Sequence, residues 1–433
     1  MSRSRGDLDL ATSAGSARSS SGSARTGLMW ILLGDGAAKV ALIGTSAVAL
    51  LALNVGQFGV FAGLQAAIYL SAAIWDFGSG QLLTREIAGG RVPAAAWLGA
   101  LAHIRLRTLP LWLGSLVGSF AILGTDAASP VIYAIGICAS LLIGLQLAAI
   151  SALRGRMDFR GVAKAVAAGR WAGLGAGVAL VLTVDPEDHL HALLIAWLAG
   201  ELLGTMVALH TAGIGALRNG PKLSFKAAAP LALNSIVQIG YNRFDLILVA
   251  ALSTPVVVGA YATASRIQDA MLILPSAGAT IVLPFAARLY SHEMIGASTA
   301  AGTRRLLTRT WLAIGLPSLA LALCAAVLAP TIVTTFLGPN YQQAIVPIQV
   351  IAVSIPLVAV NSALASVVVA RHGAGYVTSA LLVALTTVIA MNVALVPVMG
   401  AVAPALAATV REVPVLLVLL IAARRVRLFG GRA

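Results

Sequence analysis

Four cationic side chains lie where a cation is expensive. Lys39, Arg243, Arg266 and Arg411 each fall deep within an apolar stretch. At 1.5 Å of rise per residue, each stands roughly 14–21 Å from the start of its expected helix. A charge near the centre of a bilayer costs about 2.5–3.5 kcal/mol on insertion scales, so such residues face a cavity or a partner. Carboxylates accompany them. Asp35 precedes Lys39 by four residues, Asp269 follows Arg266 by three, and Glu412 adjoins Arg411. Asp245, two residues after Arg243, points elsewhere on a helix. With Glu201, five carboxylates face four cations. Two arrangements fit this count. In one, the charges form a purely structural network of internal salt bridges. In the other, Lys39, Arg243, Arg266 and Arg411 line a polar chamber that receives an anionic head group, which guanidinium groups hold in bidentate fashion. Asp35, Asp245 and Asp269 are then candidates for coupling to H+ or Na+.

Other chemistry is missing from the chain. Cys138 and Cys324 lie far apart in apolar runs, with no Cys or His at metal-ligand spacing. The six histidines fall mostly at the ends of apolar runs or between them, and no zinc signature, Ser-His-Asp set or P-loop accompanies them. The glycines from Gly173 to Gly177 follow no strand and precede no Lys-Ser/Thr, so they are not a phosphate loop. The pattern is that of a non-enzyme without a resident metal or cofactor.

The elements that must position the four cations are membrane helices. Of 433 residues, 59% are hydrophobic and only 10% charged, and mean hydropathy is +0.94. A soluble domain is about 25% charged, so a soluble protein of this length is excluded. Twelve spans are expected, near 28–51, 58–80, 108–124, 131–152, 165–184 and 190–212, then 229–252, 257–285, 307–328, 345–370, 377–398 and 401–423. The net charge of +14 is scattered between apolar runs instead of gathered on one module, which argues against a nucleic-acid partner. Apart from the four buried cations, the Lys and Arg residues fall in the two tails and in alternate connections. Arg85, Arg105, Arg107 and Arg170 are counted among these loop cations. That alternation places both termini in the cytoplasm.

The expected domain organisation is a disordered cytoplasmic tail over 1–26, a six-helix lobe over 27–215, a second over 216–423, and a basic tail over 424–433. A weak internal repeat relates the two lobes. Asn54 to Phe61 and Thr254 to Tyr261 each place an uncharged turn before Gly-x-aromatic, at Gly59 and Gly259. Paired six-span halves with a site between them near the membrane midplane are typical of transporters. No connection on the cation-poor side is long enough to carry the catalytic groups of a membrane glycosyltransferase or polymerase.

Several segments resemble a known family. Trp75-Asp76-Phe77-Gly78-Ser79-Gly80-Gln81 with Thr84-Arg85-Glu86, Leu153-Arg154-Gly155 with Phe159, and Asp245, Gly259-Ala-Tyr261 and Arg266 followed by Leu283-Pro284 are similar to the polysaccharide-biosynthesis (Wzx-type) flippases. Phe336-Leu-Gly338-Pro339-Asn-Tyr341 fits as well. These flippases belong to the multidrug/oligosaccharidyl-lipid/polysaccharide (MOP) exporter superfamily. The resemblance implies an all-α integral membrane protein with twelve helices in two pseudo-symmetric lobes. It would move an undecaprenyl-diphosphate-linked oligosaccharide across the bacterial inner membrane by alternating access, for O-antigen, capsule or exopolysaccharide. Its partners would be that lipid-linked oligosaccharide, membrane lipid, a polysaccharide polymerase and a chain-length regulator. Lys39 and Arg266 would be the foremost candidates for substrate contact, and Asp76 and Arg85 would have structural or gating roles. A multidrug or cation antiporter of the same superfamily is the alternative. Its chamber would favour acidic residues, whereas guanidinium groups repel cations.

Overall fold

The computed structural model describes residues 29–30, 33–34, 36–123, 129–213, 221–276, 282–283, 285–286, 297–373 and 375–425. The tail over 1–26, Asp35, Pro284 and residues 426–433 lie outside the described residues.

All elements among the described residues are helical. The first half holds α1 (Gly36–Ala52), α2 (Val55–Asp76), α3 (Ser79–Ala88), α4 (Trp97–Leu123), α5 (Pro130–Gly155), α6 (Phe159–Val181) and α7 (His189–Ala212). The second holds α8 (Phe225–Leu252), α9 (Pro255–Met271), α10 (Ala297–Thr310), α11 (Leu316–Ile332), α12 (Ile345–Ala352), α13 (Ser354–His372), α14 (Gly375–Met399), α15 (Val402–Val410) and α16 (Glu412–Arg425). Several of these join end to end into longer rods. Nine helical segments among the described residues are long and apolar enough to cross a membrane, so the chain is a multi-pass membrane protein. The expected spans at 28–51, 165–184 and 257–285 are not among the nine. They correspond to α1 and α9, which are short, and to α6, whose middle carries Arg170.

Local chemistry sets the helix ends. Asn54 caps α2 by accepting from the Gln57 amide at 2.9 Å, while Gln57 Oε1 accepts from the Asn54 amide at 3.2 Å, a reciprocal capping box. At the other end Phe77 and Gly78 take positive φ, +45° and +67°, and break the rod before α3. A side chain at Gly78 would strike the backbone of α8, since its Cβ would lie 2.4 Å from the Ala232 nitrogen. Pro255 opens α9 at a position where its missing amide hydrogen leaves no helical bond unmade.

Helix α4 begins at Trp97, well before the expected 108. Trp97, Leu101 and Ile104 bury an apolar face against α3 and α5, which carries the helix onward through Arg105 and Arg107. Those two arginines are therefore helical, a correction to their place among the loop cations.

Among the described residues three large apolar cores organise the rods, and a fourth, small one joins Met271, Ala322, Ala352 and Ile355. The largest joins both halves at their cation-poor ends, with Phe58, Leu64 and Leu193 from the first half packed with Tyr261, Tyr341 and Ile348 from the second. At the cation-rich ends the cores separate. One belongs to α3–α7 together with Leu223 and Ala228 at the start of α8. The other belongs to the second half, around Val367, Ala384 and Leu419.

The repeat noticed in the sequence sits at the junction of the halves. A Cβ on Gly59 would lie 2.0 Å from the Pro255 carbonyl oxygen, and one on Gly259 would lie 1.7 Å from that of Val55. Residues 200 positions apart in sequence thus make reciprocal backbone contacts that only glycine permits.

Candidate functional site

Helices α1, α8 and α9 surround a chamber of 370 Å³ lined by Lys39, Ser46, Arg243, Arg266, Asp269 and Ser276. Three of the four cations singled out in the sequence therefore meet in one place. Arg266 and Asp269, three residues apart on α9, share a helix face. Asp269 Oδ2 accepts from Arg243 Nη2 at 3.1 Å and lies 3.5 Å from Arg266 Nη1, so one carboxylate oxygen serves two guanidinium groups. Lys39 donates to the neutral Ser276 hydroxyl at 2.6 Å. Arg266 Nη2 reaches across to the first half, where Gln65 Oε1 accepts its hydrogen bond at 2.8 Å. Among the described residues the buried Arg243 Nη1 has no hydrogen-bond partner. Among the described residues the lining thus carries three cations against one carboxylate, a surplus of two positive charges.

Arg411 lies elsewhere. It is absent from the chamber lining and is only 5% exposed. Its Nε lies 3.4 Å from Glu412 Oε1, its Nη1 donates to the Tyr241 carbonyl, and its guanidinium covers the Tyr241 ring at 4.1 Å. Glu412, 1% exposed, accepts from Asn361 Nδ2 at 2.9 Å through Oε2 and from the Tyr241 hydroxyl through Oε1. This is an ion-paired cluster within the second half, although the buried Asn361 Oδ1 has no partner among the described residues. Asp245 is also withdrawn from the chamber. Its carboxylate accepts from the Tyr261 hydroxyl and from the Leu246 amide at 2.8 Å. Of the three coupling candidates, Asp269 lines the chamber, Asp245 does not, and Asp35 lies outside the described residues.

Two further cations pair inside the first half. Arg170, counted with the loops, sits in the middle of α6 and meets Glu201 of α7 at 3.0 Å. Glu201 Oε1 also accepts from Tyr69 at 3.0 Å and Trp197 at 3.1 Å. The two helices approach closely because Gly169 and Gly173 face Gly200 and Gly204, as small residues at four-residue spacing allow. The signal for Arg170 was its position among the apolar and glycine residues from Val162 to Val181. Arg105 forms a 2.6 Å pair with Asp76 and lies over the Trp75 ring at 4.9 Å. Asp76 thus anchors α2 to α4. Arg85 is an exposed partner of Glu86.

Comparison with known proteins adds the fold. No family model matches the chain, and no curated protein matches its sequence. Among solved structures the fold is that of MOP-superfamily transporters. The inward closed conformation of the lipid II flippase MurJ aligns with a TM-score of 0.68 at 13% identity, over 92% of this chain and 87% of that one. An inward-facing multidrug resistance MATE-family transporter aligns at 0.64 and 13%, over 93% and 96%. The MATE multidrug transporter DinF-BH, solved in complex with R6G, aligns at 0.63 and 12%, over 94% and 96%.

Proposed function

We propose that the protein is a flippase for an undecaprenyl-diphosphate-linked oligosaccharide, working by alternating access in the bacterial inner membrane with both termini cytoplasmic. The carrying observation is the surplus of two positive charges among the described residues that line the chamber. A diphosphate diester presents two negative charges, and charge-assisted hydrogen bonds from Lys39, Arg243 and Arg266 fit it. The apolar wall formed by Leu42, Ile43, Leu272 and Ile273 suits the first isoprenoid units. Asp269 is the best placed coupling group. Protonated, it would release both guanidinium groups to the substrate, and ionised it would compete for them.

The two kinds of MOP neighbour set the choice to be tested. One is by its title a lipid II flippase and others are multidrug transporters. A cationic drug would enter a chamber that already holds excess positive charge, which disfavours it. Deletion of the gene is expected to leave lipid-linked repeat units on the cytoplasmic side and abolish one surface polysaccharide. Normal polysaccharide together with new sensitivity to cationic drugs would establish the antiporter instead.

A further inference from the structure

A second cavity, of 180 Å³, lies wholly within the first half. Its polar lining comprises Gln65, Gln146, Arg154, Arg170, Trp197 and Glu201, with Thr45 at the α1 side. The volume is about six times the ~30 Å³ share of one water molecule in the liquid, enough for a group the size of a sugar ring. Two features tie it to the cationic chamber. Leu42 lines both. Gln65, which lines the smaller cavity, is also the residue that accepts the 2.8 Å hydrogen bond from Arg266. A group attached directly to an anion at Arg266 is therefore delivered to Gln65.

The lining selects for hydroxyl groups. Glu201 Oε1 is saturated by Tyr69, Trp197 and Arg170, while no described hydrogen bond reaches Oε2. Gln146 lines the cavity with no side-chain hydrogen bond among the described residues, so its amide offers both a donor and an acceptor. Trp197 supplies an aromatic wall. Charge argues against a metal cation. Among the described lining residues Arg154 and Arg170 outnumber Glu201, and that carboxylate is already ion-paired.

We infer that this cavity is the glycan subsite, which takes the diphosphate-proximal sugar and recognises its hydroxyls through Gln65, Gln146 and Glu201. The inference rests on the flippase reading and adds an orientation to it: glycan towards the first half, isoprenoid along the apolar chamber wall of Leu42, Ile43, Leu272 and Ile273.

The test is equilibrium binding to the full-length protein in detergent. The probes are undecaprenol, undecaprenyl diphosphate, and undecaprenyl diphosphate carrying glucose, galactose or N-acetylglucosamine. Wild type should bind at least one glycosylated lipid about tenfold tighter than the bare diphosphate, the worth of roughly one well-made hydrogen bond. Gln146→Ala and Glu201→Gln should each remove most of that preference, whereas Arg266→Ala should weaken bare and glycosylated lipids alike. Because Glu201→Gln leaves Arg170 without its charged partner, Gln146→Ala stands as the independent variant. Equal binding of all the diphosphate lipids by wild type, or a preference that survives Gln146→Ala, overturns the glycan subsite and leaves the flippase intact. Binding of undecaprenyl diphosphate no tighter than undecaprenol overturns the flippase reading itself.

Discussion

The chamber between α1, α8 and α9 and the cluster at the α15–α16 junction use the same residue types to opposite ends. Each contains an arginine next to a carboxylate deep within an apolar helix. At Arg411 every neighbour answers the charge: Glu412, the Tyr241 carbonyl and the Tyr241 ring surround it. Among the described residues, Arg243 and Arg266 share a single carboxylate, Lys39 donates to a hydroxyl, and Arg243 Nη1 has no hydrogen-bond partner. The first arrangement is sealed. The second leaves positive charge unbalanced among the described residues, as the proposed anion site requires. What separates a structural pair from a binding site is therefore the local sum of partners, since depth and residue type are shared.

The largest expected effect breaks the sealed cluster. Glu412→Ala leaves Arg411 buried without its counter-charge and should cost about 3–5 kcal/mol, read as a large loss of thermal stability in detergent. Next comes the chamber. Arg266→Ala removes a charge-assisted contact of about 1.5–3 kcal/mol, so affinity for undecaprenyl diphosphate should fall more than tenfold while the unfolding temperature stays near that of wild type. An Arg266→Ala protein as unstable as Glu412→Ala would erase the distinction between the regions. The double replacement Arg411→Met with Glu412→Met removes both buried charges at once. It should restore stability to within about 1 kcal/mol of wild type, because an apolar substitute avoids the desolvation of both ions.

The smallest effect belongs to an exposed pair. Hydrogen bonds from Arg91 hold the Glu86 carboxyl below the ordinary carboxylate value. A depressed value in the fold means that this pair stabilises its turn at neutral pH and is lost as pH falls through the folded value, below the ordinary ~4.3. Hydrogen-exchange protection of the Arg91 and Val92 amides, which both bond the Glu86 carbonyl, should drop modestly on acidification, with no change at Arg411.

Much of this was legible in the sequence because the bilayer imposes long apolar helices. Hydropathy located the rods, and the Gly59 and Gly259 turns marked the place where the halves touch backbone to backbone. The meeting of Lys39, Arg243 and Arg266 also followed from their common depth. The pairings that decide the electrostatics did not. Arg170 and Glu201 are 31 positions apart, and Asp76 and Arg105 are 29 apart, so nothing in the local pattern joined them. Arg105 passed as a loop cation because a charge near a span end looks the same whether it reaches water or a buried carboxylate, and Arg170, in the middle of its helix, was counted with the cations of the preceding connection. Arg411 was grouped with the chamber for the converse reason: depth alone does not show which lobe's interior a side chain enters.

The central claim is that Lys39 and the two arginines that share Asp269 recognise a diphosphate lipid. Competition between undecaprenyl diphosphate and the cationic dye rhodamine 6G for the purified protein tests it most directly. The account predicts that the diphosphate lipid binds tightly, that the dye binds weakly or not at all, and that Lys39→Ala and Arg266→Ala each weaken only the lipid. Tight dye binding that strengthens when Arg266 is removed, with little affinity for the lipid, would contradict it.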